Sequence, residues 1–235
     1  MAAGYAAAEH PWMRRDDTPC FAGLEVVSKR ARSYLGARLN EWKDKTMALE
    51  LKIIVGSTRP GRQGPKIAAW IESAAKARGD FNVTLIDLAE INLPLLNEPN
   101  HPVMQQYQHD ATKAWAEAIG SADALVFVTP EYDSFPNAAL VNAVQYLAVE
   151  WRYKPAAIVS YGGISGGLRA AQELRQLLGA VGTAVTPQGV PLPMVFGQLN
   201  EAGFEPTEIN SQGAEQMLSE LGKWASALQP LHKAA

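Results

Sequence analysis

The stretch ALVFVT, residues 124–129, is short, uncharged and almost entirely apolar. A run of that length, bounded by polar residues, reads as a strand covered on both faces. LKIIV (51–55) and AAIVSY (156–161) have the same character, NVTLIDL (82–88) alternates as a strand nearer an edge would, and TAVTPQGV (183–190) makes a weaker fifth. Helical spacing fills the intervals. It runs through Ile67, Ala68, Ile71 and Ala75, then Ala111, Trp115, Ala118 and Ile119 within 109–121, then Leu140, Val141, Val144 and Leu147 within 137–149. Leu168 to Val181 and Glu208 to Leu228 follow, the last with Met217, Leu218, Leu221, Trp224 and Leu228 on one side. INLPLLNEPNHP (91–102), with three prolines, reads as a long surface loop. Five strands alternating with five helices predict an α/β fold, a parallel sheet with helices on both faces and right-handed crossovers.

In such a sheet ligands bind beyond the carboxyl ends of the strands, so unusual loops should follow strands. They do: GSTRPGR (56–62) follows the first, PEYDSFP (130–136) the third and YGGISGG (161–167) the fourth.

Composition narrows the function classes. The 235 residues are 47% hydrophobic and 19% charged with a net charge of −3, and no basic block points to nucleic acid. No apolar run approaches the roughly 20 residues that span a bilayer, which predicts no membrane partner. One cysteine, Cys20, and four scattered histidines offer no metal-ligand cluster, and a reducing, cytoplasmic setting is expected. Residues 1–46 carry eight Lys/Arg against six Asp/Glu, and the rest 13 against 18. The first segment lacks a secretory apolar region, while MALELKIIVGS has the form of a domain start. The expected organisation is therefore an N-terminal extension, 1–46, loosely ordered or a short helix, and a single domain over 47–235.

GSTRPGR combines two hydroxyls, two guanidinium groups and the N–H groups of a helix start. It is no Walker A loop, because Arg62 and Gln63 fill the Lys and Ser/Thr places after Gly61. It is no GxGxxG fingerprint either. The set Ser57, Thr58, Arg59 and Arg62 suits one terminal phosphate monoester. PEYDSFP is a stiff, partly apolar turn whose backbone can grip the edge of a flat heterocycle, with Tyr132 or Phe135 along its face. Four glycines in YGGISGG let something planar approach the backbone closely.

Across about residues 48–200 these loops resemble the NADPH-dependent FMN reductases of flavodoxin-like fold, a family that includes quinone, azo and chromate reductases. The resemblance implies a three-layer sandwich around a five-stranded parallel sheet of order 2-1-3-4-5. By position it places Ser57, Arg59, Arg62, Gln63 and Gly64 around the FMN phosphate. TPEYDSFPNAALVNAVQYL is similar to the family's TPEYNxSxPxxLKNAxDxL, making Pro130, Glu131, Tyr132, Asp133 and Ser134 flavin neighbours. Ser160, Gly162, Gly163 and Gly166 fall in the second flavin loop. Asp133 replaces the usual Asn, and Val141-Asn142 replaces a common Lys-Asn pair.

The resemblance further implies hydride transfer from NADPH or NADH to flavin N5, then transfer of electrons to a small-molecule acceptor such as a quinone or a flavin. No protein side chain need act as the catalytic acid or base, because the cofactor carries the redox chemistry. A homodimer or homotetramer is implied, with Phe135, Tyr146, Trp151 and Tyr153 as candidate contacts. Two other classes share the fold: a flavodoxin-like electron carrier, and a flavin-binding regulatory module that docks through residues 1–46.

Overall fold

The continuous apolar runs become the three central strands of one parallel sheet. In a computed structural model of the chain, residues 48–233 are described; the expected N-terminal extension lies outside them. The strands are β1 (Leu49–Val55), β2 (Phe81–Asp87), β3 (Ala124–Pro130) and β4 (Pro155–Tyr161), followed by two short pieces, β5 (Ala184–Val185) and β6 (Val190–Leu192). The order is β2-β1-β3-β4-β5, with β6 also paired to β4. All pairings are parallel, Val55 standing opposite Asp87 on one side and Val128 on the other. The expected α/β order is therefore the observed one.

Among the described residues six α-helices accompany the sheet: α1 (Gly64–Arg78), α2 (Leu88–Ile91), α3 (Asp110–Gly120), α4 (Ala138–Gln145), α5 (Leu168–Ala180) and α6 (Glu208–His232). Strand alternation divides the core cleanly. Ile53, Val55, Val126, Val128, Ala157 and Val159 face α1 and α6, which contribute Ile67, Ile71, Met217 and Leu221. Ile54, Leu125, Phe127 and Ile158 face α2 to α5 with Trp115, Leu140, Val144 and Leu174. Because both faces are covered, these strands need apolar residues at every position, which is why they read as continuous runs.

Three boundaries differ from expectation. The fifth strand breaks at Thr186–Gly189, where Thr186 N and Oγ1 both donate to the Ala156 carbonyl, at 2.8 and 3.2 Å. Pro187 has no N–H for the ladder there. The helix expected over 137–149 ends at Gln145, and the chain resumes as a 3-10 turn, Val149–Trp151. Trp151 is drawn inward, its indole N–H donating to the Val144 carbonyl at 2.9 Å. The last helix runs past Leu228 and Pro230 to His232. Gln229 and His232 both reach the Asp123 carboxylate, at 2.9 and 3.2 Å, and Asp123 Oδ2 accepts the Glu50 N–H. That contact holds the final turn against the amino-terminal edge of the sheet.

Of the four aromatics expected to mediate association, Tyr146 and Trp151 are core residues, while Phe135 and Tyr153 are exposed.

Candidate functional site

The carboxyl ends of β1, β3 and β4 carry the three loops side by side. At the end of β1, the Gly56 N–H donates to the Val128 carbonyl at 2.9 Å, and Asn137 Nδ2 donates to the Gly56 carbonyl at 2.5 Å. Ser57 is fully buried, whereas Thr58, Arg59, Pro60 and Gly61 are exposed. A turn closed by Arg62 N–H to the Arg59 carbonyl, with Gly61 at φ +73°, returns the chain to Gln63 and the start of α1. Gln63 Nε2 donates to the Gly61 carbonyl at 2.9 Å. Gly64 opens the helix and has no room for a side chain: a Cβ would stand 2.4 Å from Ser57 Oγ and 3.0 Å from the Tyr161 hydroxyl.

The two arginines have different occupations. Arg62 Nη1 donates to Asp87 Oδ1 at the end of β2 and to the Ser57 carbonyl, at 2.5 and 2.9 Å. The bond to Asp87 outweighs desolvation and holds the guanidinium above its already high ordinary pKa. Arg59 is exposed and makes no ion pair among the described residues; its Cζ lies 5.4 Å from the centre of the Tyr132 ring.

Pro130, the last residue of β3, is buried, and the Glu131 carboxylate that follows is directed to the start of α5. That carboxylate accepts from Ser165 Oγ (2.8 Å), the Arg169 N–H (3.1 Å) and Arg169 Nη1 (3.0 Å). It therefore caps the amino terminus of α5, where helix N–H groups and an anion suit each other. Desolvation pushes its pKa up, but these donors prevail and hold it below the usual carboxylate value. Tyr132 and Phe135 exchange both backbone hydrogen bonds at 2.9 Å around Asp133 and Ser134, whose φ values are +50° and +70°. Two left-handed residues make this a type I′ turn. Asp133, Ser134 and Phe135 are all exposed at its tip.

Near the end of β4, Ser160 Oγ donates to the Gly166 carbonyl at 2.9 Å in a buried hydrogen bond. Gly163 has open space about it, while a Cβ on Gly166 would meet Pro193 N at 2.9 Å. Gly163 thus leaves bare backbone at the surface, whereas a Cβ on Gly162 would stand 3.4 Å from Gly167 N, and Gly166 serves close packing of the loop on Pro193. Gly167, at φ +79°, would bring a Cβ within 2.6 Å of Tyr161 N.

A phosphate fits what these residues leave undone. Ser57 Oγ is buried without a hydrogen-bond partner, as is the Tyr161 hydroxyl. Buried hydroxyls are seldom left so, and both stand beside the first residue of α1, where the Gly64 N–H has no backbone acceptor, Pro65 has no N–H and the Lys66 N–H is taken by the Gln63 carbonyl at 3.1 Å. With Arg59 at the rim, hydroxyl donors, amides and a positive charge are the set a phosphate monoester requires.

A profile of NADPH-dependent FMN reductases matches residues 49–196, which span all three loops. The chain belongs to that family. It is 39% identical to an NAD(P)H-dependent FMN reductase of Schizosaccharomyces pombe over 67% of this chain and 79% of that protein. It is 31% identical to the NAD(P)H-dependent FMN reductase LOT6 of Saccharomyces cerevisiae over 62% and 85%. In fold it resembles FerB, an NAD(P)H:(acceptor) oxidoreductase of Paracoccus denitrificans, with a TM-score of 0.63, 20% identity, and coverage of 77% of this chain and 98% of FerB. This FMN reductase is an oxidoreductase whose cofactor is FMN.

Three residues of the site escape a motif-based reading. Asp87 and Asn137 brace the β1–α1 loop from the end of β2 and the start of α4, and Tyr161 lies beneath it. The period of β4 carries a signal for Tyr161, since it shares the parity of Ala157 and Val159 and so faces α1. Asn142, of the altered Lys-Asn pair, fastens the loop after α2: its Oδ1 accepts the Leu96 N–H at 2.9 Å and its Nδ2 donates to the Pro94 carbonyl at 2.7 Å. Among the described residues no group of His, Cys, Asp and Glu could hold a metal ion, and no helix is long and apolar enough to cross a membrane.

Proposed function

We propose that the three loops form one FMN site, in which Ser57, Arg59 and the Gly64 N–H at the opening of α1 take the phosphate. Tyr132 to Ser134 and Gly162 to Gly163 border the flavin ring. Arg62, Gln63 and Asp87 hold the phosphate loop in shape, and Glu131 and Ser160 do the same for the glycine loop. Bound there, FMN supplies the hydride-accepting and electron-donating chemistry. The chain's task is to fix the ring, leave one face open to NADPH or NADH, and admit an acceptor afterwards. The observation that carries this reading is the fully buried, unpartnered Ser57 hydroxyl at the amino terminus of α1.

The acceptor class we assign is the quinone type. Relatives include a quinone reductase of Pseudomonas putida, 31% identical over 54% of this chain, and an NADPH azoreductase of a Bacillus species, 30% identical over 66%. In this chain Ile164 within the glycine loop and Phe196 after β6 are 91% and 72% exposed, and Phe135, which closes the β3 turn, is exposed too. Such a rim suits a flat, partly apolar molecule. The same rim is the surface by which we expect a homodimer or homotetramer to form, and a reducing compartment suits the chemistry. Light scattering tests the association.

The deciding experiment is an absorbance spectrum of the protein with FMN, before and after anaerobic NADPH or NADH. A perturbed flavin spectrum that bleaches rapidly supports the reading and identifies the donor. Bound flavin that fails to bleach with either points to the electron-carrier class instead.

A further inference from the structure

Tyr161 is the last residue of β4, 6% exposed, and its hydroxyl has no hydrogen-bond partner. Packing explains the ring, which joins the core beneath α1. It does not explain the oxygen, because a buried hydroxyl without a partner is costly and phenylalanine would fill the same space. Burial raises its pKa to about 12 against the opposing influence first of Ser57 and then of Arg62 and Arg59, so the group is a neutral donor at physiological pH.

Its position gives the oxygen a purpose. The Tyr161 hydroxyl and Ser57 Oγ converge on Gly64, lying 3.0 and 2.4 Å from where a Cβ would stand. The two hydroxyls are near enough for Ser57 to act on the Tyr161 proton, and neither oxygen is engaged by any other group among the described residues. A serine hydroxyl has one proton to give and lone pairs to receive. If Ser57 gives its proton to a phosphate oxygen, a lone pair remains for a donor behind it, and Tyr161 is the donor in place.

We propose that Tyr161 is a positioning residue for the cofactor phosphate: its O–H donates to Ser57 Oγ and so directs the Ser57 proton outward to a phosphate oxygen. The inference rests on the reading of Gly56–Gly64 as the phosphate loop. Linked hydroxyls polarise one another, so the outer bond gains from the inner one. Gly64 is the residue that leaves room for the pair.

The test measures FMN and riboflavin binding, by flavin fluorescence quenching, together with the thermal midpoint of the flavin-free protein. The variants are Tyr161→Phe, Ser57→Ala, their double mutant and Arg59→Ala. Tyr161→Phe is expected to weaken FMN binding about 3- to 10-fold, the scale of one net hydrogen bond. Riboflavin binding should be unchanged, and the flavin-free midpoint unchanged or higher. The double mutant should bind FMN no more weakly than Ser57→Ala alone, because the tyrosine acts through the serine. Wild-type FMN affinity in Tyr161→Phe, an equal loss for riboflavin, full additivity with Ser57→Ala or a lowered flavin-free midpoint would each overturn the proposal. If Ser57→Ala and Arg59→Ala also bind FMN normally, the phosphate reading itself falls. If those two weaken and Tyr161→Phe does not, only the relay falls.

Discussion

Arg62 joins Asp87 to the carbonyl of Ser57 through a single nitrogen, with bonds of 2.5 and 2.9 Å. The second arginine of the GSTRPGR loop thus ties the end of β1 to the end of β2. The side chains are 20% and 8% exposed, so the pair is largely withdrawn from water. Arg59, three residues earlier, is exposed over Tyr132.

The two arginines should therefore separate in mutagenesis. Arg62→Ala leaves the Asp87 carboxylate without its cation and is expected to lower flavin-free stability by about 1–3 kcal/mol. Arg59→Ala should change that stability by less than about 0.5 kcal/mol, as exposed substitutions do. It should instead weaken FMN binding by about 1.5–3 kcal/mol, the scale of a hydrogen bond to a charged group. Denaturant unfolding and FMN titration of both variants provide the check; equal effects in the two assays would contradict the division of labour.

This contrast shows where sequence reading succeeds. Strands covered on both faces announce themselves by apolar continuity, and sheet order then places the loops after β1, β3 and β4 together. Local chemistry singled out Ser57, Thr58, Arg59 and Arg62 together as one phosphate-binding set. It could not separate Arg62 from Arg59, because the difference lies in Asp87, 25 residues away and adjacent only through β1–β2 pairing. Glu131 is a similar case, its carboxylate being claimed by Ser165 and Arg169 across the β3–β4 boundary. The break in the fifth strand is legible in principle from Pro187 and Gly189, but the helix continuing past Pro230 depends on an anchor at Asp123.

Ser134 occupies the second central position of a type I′ turn at φ +70°, where glycine is the favoured residue. A side chain in the left-handed region carries a steric penalty that glycine avoids, partly offset by glycine's greater freedom when unfolded. Ser134→Gly is expected to stabilise the flavin-free protein by about 0.5–1 kcal/mol. Asp133→Gly should gain less, since aspartate tolerates this conformation better. Chemical denaturation of the two variants measures the difference, and a Ser134→Gly protein less stable than wild type would contradict the argument.

Glu131 couples the β3 turn to the glycine loop by capping α5. Glu131→Gln keeps the shape but removes the charge facing Arg169 and the helix N–H groups, and is expected to cost about 1–2 kcal/mol of stability. The wild-type contribution has a definite pH sense. The folded pKa lies below the ordinary value of 4.5, so the stabilisation is full above that value and is lost as pH falls through the folded pKa. Melting curves between pH 3 and 6 should therefore converge for wild type and Glu131→Gln at the acid end. A constant gap across that range would assign the loss to packing rather than charge.

His232 gives a second pH dependence at the opposite edge of the sheet. Burial and the nearby Lys154 ammonium lower its pKa below the ordinary 6.5, against the pull of Asp123, with Lys233 adding to the lowering. Lys154 is itself held down to about 8 by burial while its Nζ donates to the Gly120 and Ala122 carbonyls. For His232 the unfolded chain binds the proton more readily, so its neutral form supports the fold fully above pH 6.5, and that support fades as pH falls through the lower folded pKa. Asp123 titrates in a separate window, below its ordinary 3.8. The thermal midpoint of wild type should consequently fall between pH 7 and 5 more steeply than that of His232→Gln, which retains a polar group near Asp123 but cannot be protonated there. Parallel curves for the two proteins would mean that His232 keeps its proton affinity on folding, and that Asp123 offsets burial completely.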